Sequence, residues 1–183
     1  MREKFVIDQA HTVIGFSARH LGISSVRGHF GKVEGWFEAD REDLITATGE
    51  VEIDVTSITT NQEQRDGHLK SADFFEADKY PTLRFHLTGV ERQNVEDYLI
   101  LGDLTIKDVT KSITLNARFE GEVDSPFTPG AKVVGVTADG EINRMDYGLN
   151  WNGLAGVVPL ASHNIKIHVE AELVASPVES AVS

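Results

Sequence analysis

Strict alternation of apolar with polar residues narrows the possible folds of this chain more than any other feature. Ala47, Gly49, Val51, Ile53 and Val55 hold one parity while Thr48, Glu50, Glu52 and Asp54 hold the other. A period of two marks a β-strand with one face buried and the other in water. The rhythm returns at Ile14, Phe16, Ala18 and His20, breaks at Gly22-Ile23-Ser24-Ser25, and resumes at Val33, Gly35, Phe37 and Ala39 within a segment running from Phe30. It returns again at Leu83, Phe85 and Leu87, along Tyr98 to Lys107, and at Ile113, Leu115, Ala117 and Phe119. Val134 to Ile142 and Ile165 to Leu173 complete a set of about eight strands. Phe30 and Trp36 fall out of phase with their segment, where glycines at 28, 31 and 35 permit a bend.

Only Asn61 to Lys70 reads as helix, with Thr60 or Asn61 as the cap and Glu63 in the positively polarised first turn. One helix among so many strands gives no βαβ rhythm, so the strands are expected to run antiparallel. Such a set either stacks as a sandwich or closes as a barrel, and closure removes the exposed edges. The predicted fold is therefore all-β: an eight-stranded antiparallel barrel with one short helical insertion between strands 3 and 4. A barrel of this size can hold one small ligand. Residues 1–175 are expected to form a single domain and 176–183 a patternless tail. Arg144 to Ser162 reads as a long irregular segment of the kind that often carries function.

A formal net charge of −12 over 183 residues, with Lys and Arg scattered singly, argues against nucleic acid as a partner. The chain has no cysteine, which excludes disulfides, thiolate metal sites and cysteine nucleophiles. No apolar stretch approaches the ~20 residues that span a bilayer, so stable membrane insertion is not expected. No apolar core of signal-peptide length precedes Asp8, and cytoplasmic residence is the expectation.

His11, His20, His29, His68, His86, His163 and His168 are dispersed without His-x-His or His-Glu-x-x-His spacing, so no metal site is expected. His20 shares a parity with Phe16 and is the histidine expected to face inward. Arg65 and Asp66 point about 100° apart on a helix, which favours capping or loop contacts over joint chemistry. Arg144 is the better candidate for meeting a phosphate, with a salt bridge to Asp146 or the barrel rim as the alternative. Neither a Gly-x-Ser-x-Gly elbow nor a glycine-rich phosphate loop is present, and no catalytic residue is assigned.

Several ordered motifs resemble the YceI-like family. They are Asp8-Gln9-Ala10-His11-Thr12-Val13-Ile14-Gly15-Phe16 with Arg19-His20-Leu21, then Arg65 through Phe75 and Tyr80-Pro81. Gly102 through Ile106 with Thr110-Lys111, Ile142 through Gly148, and the closing amphipathic strand follow. The resemblance runs from about Phe5 to Val174. Asp108 stands where such sequences usually carry glycine in a turn, and aspartate tolerates left-handed geometry.

The resemblance implies a lipocalin-like barrel around a long apolar lipid, such as a polyisoprenoid, an isoprenoid quinone or a fatty-acid-like chain. It implies no other cofactor, a possible homodimer, and carriage, storage or sequestration in place of catalysis. Many relatives carry an export signal, and none is expected here. Two alternatives stand beside that reading: an enzyme acting on an isoprenoid-type substrate in the same cavity, and an interaction domain with a filled core. Small residues at Gly15, Ala18, Gly35, Ala47, Gly49, Gly102, Ala117, Gly135, Ala138 and Gly140 favour a lumen over a solid interior. The expected wall comprises Ile14, Phe16, Ala18, His20, Phe30, Val51, Ile53, Phe74, Phe75, Phe85, Leu87, Leu104, Leu115, Phe119, Ile142, Arg144 and Trp151.

Overall fold

The structure, a computed structural model, describes residues 1–152, 154–155 and 158–177. Its strands are β1 (Arg2–Ile7), β2 (Val13–His20), β3 (Ser24–Phe30), β4 (Val33–Asp40), β5 (Asp43–Asp54) and β6 (Ile58–Thr59). After the helix α1 (Glu63–Lys70) come β7 (Thr82–Arg92), β8 (Asp97–Ile106), β9 (Val109–Asp124) and β10 (Lys132–Asn143). The short β11 (Leu154–Ala155) and β12 (Val158–Pro159) precede β13 (Asn164–Pro177).

Eight strands close a ring in the order β1-β4-β5-β7-β8-β9-β10-β13, with β13 pairing back onto β1, and every pairing is antiparallel. Full closure leaves no free edge within the ring. β13 serves two partners along one edge: Leu173 to Pro177 face β1, and Lys166 to Glu170 face β2. Between β1 and β2 the chain steps out through a 3-10 turn, Gln9–His11, which Asp8 caps by accepting from the Ala10 N–H. β2, β3 and β6 then carry the wall past the ring. We call this end, which also holds α1, the upper end. The turns joining β4 to β5, β7 to β8 and β9 to β10 lie at the lower end.

The ring has the expected eight strands, but its membership differs from the expected set. β1, which alternates Glu3, Phe5 and Ile7 inward, belongs to the ring, whereas the strand expected over Ile14 to His20 is β2, part of the extension. β3 occupies the stretch where the pattern breaks, because Ser24, Ser25 and Gly28 are weak strand formers. Its hairpin with β2 turns through Leu21 and Gly22, both at positive φ. Phe30 ends β3, so its phase is independent of β4, while Trp36 faces outward from β4.

The helical insertion lies between β5 and β7, following β6. Gln62, and neither Thr60 nor Asn61, is its N-cap: the side chain accepts from the Arg65 N–H, and Asn61 takes a positive φ. In the turn after β8 the left-handed residue is Lys107, not Asp108. The segment from Arg144 is more ordered than expected, with a 3-10 turn over Arg144–Tyr147 and the β11–β12 hairpin. β13 runs through Ser176 and Pro177; the remainder of the expected tail, 178–183, lies outside the described residues. Among the described residues no helix is long and apolar enough to cross a membrane.

Candidate functional site

Alternation directs one face of each ring strand inward, and these faces enclose a cavity of about 980 Å³. With β5 at 12 residues, a rise of about 3.3 Å per residue and a strand tilt near 40° give a bore roughly 30 Å tall. Every residue of the expected wall, from Ile14 to Trp151, borders this cavity. Val51, Ile53, Phe85, Leu87 and Leu104 are buried along neighbouring strands, while Phe16, Leu115, Phe119 and Ile142 are half-buried around the ring.

Small residues keep the bore open by a route that parity alone does not reveal. The ring of Phe85 lies over Gly102 and that of Phe37 over Gly49, so a Cβ at either glycine would collide with the aromatic ring and a neighbouring main-chain oxygen. Glycine thus lets a large ring lie flat on the wall without projecting into the lumen.

Aromatic rings crowd the upper end. Phe16 and Phe30 have centroids 5.7 Å apart, and Phe30 meets Phe75 edge-on at 6.1 Å. His68 stands edge-on to Trp151 at 4.5 Å and to Phe74 at 5.2 Å, and its Nε2 meets Asp73 Oδ2 at 2.8 Å. Histidine spacing in the sequence gives no sign of this role, because helix and loop converge only in the tertiary structure.

Several polar groups bordering this end are engaged by the protein itself. Asp66 Oδ1 accepts from Thr60 N–H at 2.8 Å and Thr60 O–H at 2.5 Å. Arg65 donates from Nε to Thr60 Oγ1 and from Nη2 to Thr60 O, so this pair braces a loop, as helix geometry suggests. His20 corrects its expectation: it is exposed at the rim, with Nδ1 3.0 Å from Leu160 O.

Arg144 corrects one of its expected contacts, the pairing with Asp146. It is 3% exposed and makes no salt bridge to Asp146; its guanidinium donates to the carbonyls of Ser162, Leu149, Trp151 and Ala161. Burial alone pushes its pKa below the ordinary arginine value. These bonds pin the segment that follows β10 and leave the guanidinium as part of the wall.

The lower end carries charge that no sequence motif announces. Arg41, in the β4–β5 turn, borders the cavity and donates from Nε to Glu3 Oε2 at 2.5 Å and from Nη1 to Glu122 Oε2. Its Cζ lies 5.8 Å from the centroid of the Phe5 ring. Partial burial works against its charge, but the bonds to Glu3 and Glu122 outweigh it and hold the guanidinium above its usual pKa.

On the outer face, His11 Nδ1 lies 2.8 Å from Asp8 Oδ2 and 3.7 Å from Glu172 Oε2. Among the described residues this is the one grouping of three potential metal ligands, and the His11–Asp8 hydrogen bond accounts for it. That bond raises the His11 pKa and lowers that of Asp8.

Comparison with known proteins places this geometry. The sequence model of the family described as the YceI-like domain matches residues 5–173. The UPF0312 protein SA2479 of Staphylococcus aureus is 38% identical over 148 residues, 81% of this chain and 83% of that protein. The crystal structure of the Campylobacter jejuni YCEI protein superposes with a TM-score of 0.72 at 30% identity, covering 84% of this chain and 87% of that one. A polyisoprenoid binding domain from Saccharophagus degradans, implicated in plant cell wall breakdown, superposes with a TM-score of 0.62 at 17% identity, covering 95% and 98%.

Proposed function

This chain belongs to the YceI-like family, and from that premise we propose that it binds one long apolar lipid of the polyisoprenoid class inside its barrel, without chemically changing it. The observation that carries the reading is the cavity itself, about 980 Å³ bordered almost throughout by Phe, Leu, Ile, Val and Ala side chains. Burial of hydrocarbon contributes about 0.8 kcal/mol per methylene, so a few isoprene units can offset the cost of immobilising the chain. The S. degradans domain is described as polyisoprenoid binding and shares this fold, which supports the ligand class.

The disposition of the polar groups favours carriage, storage or sequestration over catalysis. Asp66, Arg65, His20 and Arg144 each have partners within the protein, and a group so engaged is poorly placed to exchange protons with a substrate. The test is mass spectrometry of organic extracts from purified protein, followed by incubation with the lipid recovered. A stoichiometric, unaltered isoprenoid is expected. A lipid-free protein that also binds no added prenyl alcohol would sink the binding claim, and conversion of the lipid would sink the non-catalytic one.

A further inference from the structure

We infer that Glu3, Arg41 and Glu122 form a floor across the lower end of the bore, and that this floor sets the longest chain the cavity accepts. The inference deepens the lipid-binding reading and rests on it.

All three side chains belong to the inner face or its rim. Glu3 pairs directly with Ala39, which borders the cavity, and directly opposed residues project to the same side of a sheet. Glu122 pairs with Val134, another cavity residue. Uninterrupted alternation from Phe119 would send Glu122 outward. A bulge intervenes: Phe119 pairs with Val136 but Gly121 with Gly135, so one extra residue shifts the phase and brings Glu122 in. In the ring order β9 stands four strands from β4, on the opposite wall. The Arg41–Glu122 bond therefore crosses the bore, while the Arg41–Glu3 bond anchors it beside β4.

The triad is a poor neighbour for hydrocarbon. The side chains of Glu3 and Glu122 are only 26% and 23% exposed, so their remaining water contact lies at the end of a predominantly apolar tunnel. A hydrocarbon terminus pressed against them would remove that water and return no hydrogen bond, which is unfavourable for ionised groups. A chain entering from the upper end gains contact with each added unit until its tip reaches this level, and no further. At the upper end, by contrast, Arg65 and Arg144 are tied to hydroxyl and carbonyl oxygens of their own loops, which leaves entry unbarred by a cross-bore bond.

The experiment is displacement of a fluorescent lipid probe by geraniol, farnesol, geranylgeraniol and solanesol, each delivered from cyclodextrin. It compares the wild-type protein, Arg41→Ala, and a triple variant, Glu3→Gln with Arg41→Met and Glu122→Gln, which keeps side-chain volume without charge. Far-ultraviolet circular dichroism and a cooperative melt certify each fold. In the wild type, affinity should rise with length and then drop at solanesol. In both variants that drop should vanish, with solanesol binding gained by about tenfold or more and geraniol binding unchanged. An unaltered drop in either folded variant, or no drop in the wild type, overturns the floor and leaves lipid binding standing. A wild type that binds none of the four alcohols overturns the lipid-binding reading and the floor with it.

Discussion

Arg144 brings a charge into the wall of an apolar cavity with no carboxylate paired to it among the described residues, and four main-chain carbonyls take the place of a counter-ion. Replacing it by Met should cost about 3 kcal/mol or more, because several buried carbonyls lose their donors together. Arg144→Lys should recover only part of that, since one ammonium cannot reproduce a planar fork reaching residues 149, 151, 161 and 162. Urea unfolding measures both, and a lysine variant as stable as wild type would show that the fork is unimportant. His168 acts in the opposite, outward direction. Its hydrogen bond to Asp139 at 2.6 Å, against some desolvation, raises its pKa, with Glu170 adding to the effect. The imidazolium is thus favoured by the folded state, so its stabilisation is complete below about pH 6.5, the unfolded value, and lost as pH rises through the higher folded value. The contribution is expected to be well under about 1 kcal/mol because the site is more than half exposed. NMR titration should show Asp139→Asn lowering the His168 pKa; an unchanged pKa would refute the pairing. Single-residue partnerships of this kind are poorly legible in a sequence. Parity places Phe85 and Leu104 on the wall correctly, but the carbonyls around Arg144 come from loops whose approach no local pattern encodes.

The elements that periodicity locates best are those whose alternation is unbroken, β5 above all, where burial follows Ala47, Gly49, Val51 and Ile53 residue for residue. Those it misses have a physical excuse. β3 is built on Ser24, Ser25 and Gly28 and is held by pairing to β2, so its strand character comes from tertiary hydrogen bonds more than from local preference. The lower part of β9 is misdirected by the bulge beside Gly121, because a count by twos cannot see an inserted residue, and the charged floor is hidden with it. Glycine within β8 has a consequence that can be measured. At Gly102 a methyl group would meet the Phe85 ring and sit 2.8 Å from His86 O. Gly102→Ala should therefore cost about 1 to 3 kcal/mol, with Phe85 displaced toward the bore. Thermal unfolding reads the first effect and reduced uptake of a fluorescent lipid the second. Wild-type stability together with wild-type uptake would mean that the ring does not need this glycine.

For the whole molecule, the question is whether the interior is a container or a core, and Leu115 is placed to decide it. It borders the cavity from β9, pairs with Ile100 on β8, and packs over the backbone at Gly140 on β10, part-way along the bore. Alternation and strand count make a closed barrel legible in the amino-acid sequence, but an apolar inner face describes a packed interior as well as a lumen, so the volume emerges only from the assembled fold. If the lumen holds a chain, Leu115→Trp obstructs it part-way down while leaving the ladder hydrogen bonds intact. Long prenyl alcohols should then lose affinity more than short ones, which need only the space above. The loss is readable as stability, since a ligand at about a hundred times its Kd raises unfolding free energy by roughly 2.7 kcal/mol. A ladder of prenyl alcohols added during thermal unfolding should show the stabilising increment shrinking in the variant as the chains lengthen. If the residue instead belonged to a solid core, the extra ring would overpack it and cost about 1 to 3 kcal/mol whether or not any ligand is present. Equal losses at every chain length would therefore refute the container.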